Sequence, residues 1–168
     1  FHFAQTVLRA PTMPSDRGGQ VWRLGLLGAG TVAVLVGVPT TWWHVTVTGG
    51  LLVAAAVGWH VATLWRMLRR ALPARFRVTV RYYLAAGGFL LLGISFGVTV
   101  AFGWEDPWHG RLLVAHALTN VLGWVGLTLT GTLLTLWPTM LRTRMDPRAE
   151  RWTRSALPVF AGAVLVAA

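Results

Sequence analysis

The chain has 168 residues, 55% of them hydrophobic and 12% charged, with a net charge of +10 and no cysteine. That balance excludes an ordinary soluble domain and predicts several membrane spans. The missing thiols exclude, within this chain, disulfides, thiolate metal sites, iron–sulfur clusters and haem attached covalently through paired cysteines.

Taken in order, residues 1–10 read as the end of a partial helix, closed by Arg9 and Pro11. A polar loop with Pro14, Asp16 and Arg17 follows. The run 22–38 is the first full span and stops before Pro39. Trp42, Trp43 and His44 suit a membrane–water interface. The next span covers about 45–68, and Gly49 and Gly50 are expected to kink or loosen it. A basic loop broken by Pro73 leads to the span 80–102. A turn over 103–110 holds Glu105, Asp106, Trp108 and His109. The span 111–137 follows, then a second basic loop, then a partial helix over 155–168. The predicted fold is therefore an all-α polytopic transmembrane bundle with four full spans and two truncated ones. The chain does not begin with Met and both ends are apolar, so we expect a segment of a longer membrane protein.

All 15 basic residues are Arg, and they cluster between apolar runs. This is the pattern of membrane loops rather than of a nucleic-acid surface. The loops at 9–23, 66–81 and 142–154 are basic, whereas those at 39–44 and 103–110 contain no Arg. The alternation places the basic loops in the cytoplasm, and the helices starting near 1, 45 and 111 run outside to inside. All five carboxylates fall in loops, which leaves a carboxylate relay or a transported-ion path without support.

The stretch 111–139 looks like the one around which the bundle is arranged. It carries His116, Thr119 and Asn120 at helical spacing, with Gly123 and Thr130 continuing the stripe and Gly126 and Gly131 beside it. A polar, narrow face should meet other helices or a bound group rather than lipid. Three helices running in one direction each place a polar residue three positions after a His: His2 with Gln5, His60 with Thr63, His116 with Thr119. Neutral imidazole is an axial ligand for haem iron and a ligand for copper, and its second nitrogen needs a hydrogen-bond partner. His116, His2 and His60 are thus the candidate metal ligands, with Asn120 orienting an imidazole or bonding a bound group and Gly123 giving clearance to a flat macrocycle. His2 and His60 fall at matched depth near the basic end, and His116 near the other, so a single three-His copper centre is not expected. The alternative for each His is a hydrogen bond to a carbonyl of a neighbouring helix.

The run His116-Ala-Leu-Thr-Asn120-Val-Leu-Gly123-Trp124-Val-Gly126, continued from Gly131 through Trp137-Pro138 to Arg144-Met145, resembles a membrane family of high-GC bacteria. Its members are described as copper oxidases or copper nitrite reductases, in which a polytopic region precedes secreted cupredoxin domains. His2-Phe-Ala-Gln5 with Arg9, and 75–83, resemble the same family. The His116–Gly123 helix is also distantly similar to haem–copper oxidase subunit I and NnrS-like membrane proteins, although the paired His and His–Tyr patterns of the oxidases are missing. The resemblance implies a bacterial inner-membrane location and an oxidoreductase whose copper domain lies outside this chain. It also implies a cupredoxin-type or other redox partner on the outer side. The expected function is a membrane redox module binding haem or copper through intramembrane His; the alternative is a non-catalytic anchor or assembly scaffold.

Overall fold

The computed structural model describes residues 16–70, 77–142 and 146–168. The expected partial helix at 1–10, with His2, Gln5 and Arg9, lies outside the described residues, as do Arg75 and Arg144. The elements are α1 (Asp16–Gly37), α2 (Trp43–Arg70), α3 (Arg77–Val100), α4 (Trp108–Leu118), a π-helical segment (Thr119–Gly126), α5 (Leu127–Met140) and α6 (Pro147–Ala167). The fold is an all-α bundle. Four stretches are long and apolar enough to cross a membrane: Gly18–Gly37, Trp43–Arg70, Arg77–Val100 and Trp108–Pro138. The last of these is α4, the π segment and α5 joined end to end. Large apolar side chains such as Trp22, Leu35, Leu51, Val121, Leu129 and Trp137 stand exposed, as a bilayer requires.

Lipid changes the logic of packing. Burying Leu against Leu gains little when the alternative is hydrocarbon, so close backbone approach and satisfied polar groups must hold the helices together. Serine and threonine hydroxyls meet the second need locally. Thr31, Thr48, Thr99 and Thr128 each donate to the carbonyl four residues back, at 2.7–2.8 Å. Glycines meet the first. A β-carbon at Gly30 would lie 2.7 Å from the Gly49 carbonyl oxygen, and one at Gly49 would lie 2.7 Å from that of Gly30. Gly37 lies as closely against Thr46. A β-carbon at Gly50 would meet Val98 Cγ2 of α3 at 2.7 Å. Gly49 and Gly50, expected to kink or loosen the helix, lie inside one continuous α2 and are where its neighbours press in.

The hub of the described bundle is α3, not the 111–139 stretch. It packs against α2, α4, the π segment, α5 and α6. Its Tyr82, Ala86 and Phe89 form the core with Leu127 of α5 and Val164 of α6. The Tyr82 hydroxyl also donates to Thr153 O at 2.8 Å, fixing α6 to α3. Helix α6 begins at Pro147, well before the expected 155. Asp146 caps it by accepting from Arg148 N at 2.7 Å, and Glu150 pairs with Arg154 at 3.1 Å in its charged first turns. Proline at the first helical position needs no hydrogen-bond donor there, which helps the early start.

If backbone approach holds α1 to α2, adding bulk at the contact must hurt more than adding it elsewhere. Gly49→Val is expected to destabilise the protein by about 1–3 kcal/mol. Gly28→Val, where a β-carbon meets nothing within 4 Å, should change little. Thermal unfolding of both variants in one detergent checks the contrast.

Candidate functional site

The π segment sits where the polar stripe was expected, and it changes the register. An α-helix turns about 400° in four residues, roughly 40° too far to keep one face aligned. The wider π turn falls short by roughly 30° over the same four residues. Alternating the two holds a strict four-residue stripe against the bundle: Ala115, Thr119, Gly123, Leu127, Gly131 and Thr135 are all buried. Thr130, expected on this stripe from α-helical spacing, is exposed and donates to Gly126 O at 2.8 Å. Gly131 takes its place, and a β-carbon there would lie 2.8 Å from Tyr82 Cβ. The one-residue shift is the widened helix expressed in sequence.

His116 projects from α4 onto α3. Its Nδ1 lies 2.7 Å from Gly93 O. A carbonyl cannot donate, so Nδ1 carries the proton and Nε2 the lone pair. Space for the ring comes from Gly97, where a β-carbon would lie 2.8 Å from His116 Cε1. Asn120 does not orient the ring through Nδ1. Its Nδ2 donates to the His116 carbonyl at 2.7 Å, and the 3.4 Å approach to Nδ1 sets donor against donor. Asn120 itself lies against Gly93, at the same close approach. Gly123 does give clearance, but Phe89 fills it: a β-carbon there would lie 2.5 Å from the phenyl ring.

His60 has different surroundings. It lines a groove of about 690 Å³ between α1, α2, α3, the π segment and α5. Gln20 and Arg23 come from α1, Tyr83 and Gly87 from α3, and Trp124 and Thr132 from the far wall. The rest of the lining is mostly apolar. The Thr63 hydroxyl turns back on its own helix and donates to Trp59 O at 2.8 Å. The Tyr83 hydroxyl bonds Thr132 Oγ1 at 2.9 Å; since Thr132 donates to Thr128 O at 2.7 Å, Tyr83 is the donor in that pair. Gly87 sets the groove wall, because a β-carbon there would run into Val61 Cγ2.

The two described candidate histidines therefore occupy different levels of α3. His60 shares a groove with Tyr83 through Leu90, whereas His116 packs at Gly93 and Gly97, roughly 10 Å further along the helix. His2 lies outside the described residues. Among the described residues no three His, Asp or Glu side chains converge to hold a metal ion. Sequence reasoning missed the groove and its cation. Arg23 was grouped with a basic loop because it stands at the edge of the run 22–38, and only the packing of α1 on α2 brings it to the groove. At the end of the bundle away from the basic loops, Trp43 stacks on His44 at 3.5 Å and meets Phe102 at 5.4 Å, and Arg111 lies 5.3 Å from the Trp108 ring, an ordinary interfacial aromatic cluster.

His116 and Gly97 are expected to act as one unit. His116→Ala leaves Gly93 O with a lost partner and should cost about 1–3 kcal/mol. Gly97→Ala pushes the ring aside and should cost a similar amount. Combined, the two should cost clearly less than their sum, as measured by a double-mutant cycle of unfolding in detergent.

No protein-family model, curated protein or solved structure matches the chain.

Proposed function

We propose that this bundle is a membrane redox module that holds haem in the groove beside His60. The observation that carries the reading is the groove itself: one imidazole, one cation and one amide in an otherwise mostly apolar cleft within the spans. Its volume lies within the range of small-molecule and cofactor sites. The residues fit a haem better than a copper ion. Haem needs one or two axial imidazoles, while a copper centre needs a cluster of donors that the described residues do not bring together. His60 would hold the iron, Trp124 and the aliphatic lining would lie against the macrocycle, and the Tyr83–Thr132 pair would hold the wall in place. When bound, haem supplies one-electron transfer. The chain's own contribution is to keep water and other donors away and to fix the imidazole. The resemblance of the His116–Met145 run to copper-oxidase membrane regions supports the same reading, with a cupredoxin-type domain as partner on the outer face of a bacterial inner membrane.

The second reading is a non-catalytic anchor or scaffold. It is favoured by His116, whose Nδ1–H on Gly93 O is what a helix-packing histidine does. The visible absorption of protein purified after expression with haem available separates the two. Wild type should show a haem band, His60→Ala should lose it, and a folded His116→Ala protein should keep it. A wild type with no bound haem leaves the scaffold reading.

Orientation follows from the arginines. Basic loops on the cytoplasmic side place positions 43 and 108 outside and 70 and 148 inside. The natural chain has no cysteine, so single cysteines at these positions give a clean readout. A membrane-impermeant thiol reagent on intact cells should label 43 and 108 only. Labelling at 70 with protection at 108 reverses the topology.

A further inference from the structure

The cation in the groove has a position that says something about the ligand. Gly30 faces Gly49 and Gly37 faces Thr46, so the antiparallel register sets Arg23 level with the turn carrying Trp59 and His60. The Arg23 guanidinium lies 5.9 Å from the Trp59 ring centroid, which confirms that level. Its Nε donates to Gly19 O at 3.2 Å, one turn back along α1. The charged head is thereby carried roughly 5 Å from its own Cα toward the start of α1, the end with the basic loops. Gln20 lines the groove on that same side. On α2, which runs the other way, side chains lean toward the helix N-terminus, so the imidazole of His60 leans away from the guanidinium. The groove thus has an imidazole deeper in and a guanidinium with an amide nearer the basic end. In a medium of low dielectric such a cation strongly favours an anionic group beside it.

We propose that the groove is selective for a carboxylate-bearing macrocycle, with Arg23, assisted by Gln20, binding the carboxylates while His60 faces the metal. This rests on the haem reading above and adds the anionic end. Arginine suits the task because its planar fork matches a carboxylate. The probes are haemin and haemin dimethyl ester, whose ring is the same but whose carboxylates are neutralised. Titrated into the purified apo-protein in neutral detergent, haemin should bind about tenfold tighter than the ester. Arg23→Gln should reduce haemin binding to the level of the ester and leave the ester unaffected, and Arg23→Lys should restore part of the difference. Equal wild-type affinity for the two probes overturns the inference and leaves the haem reading standing. So does an Arg23→Gln protein that is folded by circular dichroism and loses both probes alike. Wild type that binds neither probe overturns the haem reading and this inference together. Displacement of haemin by phosphatidylglycerol, but not by phosphatidylcholine, assigns the cation to a lipid phosphate and overturns the macrocycle as its occupant. The wild-type comparison stands even where a variant does not fold.

Discussion

A bilayer removes the usual reward for burying apolar surface, and this bundle is organised by that constraint. Its helices come together where a side chain is missing. Gly30 and Gly49 let α1 and α2 touch backbone to backbone, Gly50 admits Val98, Gly123 admits Phe89, and Gly131 admits Tyr82. Polar groups are then satisfied one at a time: hydroxyls turn back on their own helices, Tyr82 reaches across to α6, and His116 reaches across to α3. The resulting seam between α3 and the last long span is held by dispersion contacts and a few hydrogen bonds, with no ion pair among the described residues along it.

The same constraint explains the two histidines. His116 is bound into the seam, with one nitrogen committed to a carbonyl and its ring seated over a glycine. His60 stands in a cleft that the neighbouring helices leave open. A residue type alone does not distinguish the two settings. What distinguishes them is which side chain takes the facing glycine: His116 closes on Gly97, whereas at the level of His60 the glycine, Gly87, is taken by Val61. Arg23 adds a charge to the wall of that cleft.

The spans were legible in the sequence because length, apolar content and arginine spacing act locally. Each observed span agrees with its expected one to within a few residues. The partners of the glycines were not legible. Gly49 and Gly50 look like helix weakeners when only their own helix is considered, and become contact points only when α1 and α3 are in place. The polar stripe was seen but mis-registered, since Thr130 was placed on it by α-helical arithmetic that the π segment does not obey. The backbone bonds of Thr63 and Asn120 were not legible for a related reason: in lipid, both side chains first satisfy the backbone of their own helix. The groove was invisible because four separate stretches of chain build it, and no short motif spans them.

The π segment has a further consequence, for the tolerance of this chain to changes in length. Removing one residue within Thr119–Gly126 would let the long span relax to uniform α-helix with little rotation, because seven residues at about 100° turn roughly 700° where the eight from Thr119 to Leu127 now turn about two full circles. Leu127, Gly131 and Thr135 would therefore stay on the seam. A residue removed from α4 or α5 has no such slack to draw on and would rotate everything beyond it by about 100°, because what the π segment encodes is a phase between two halves of one helix.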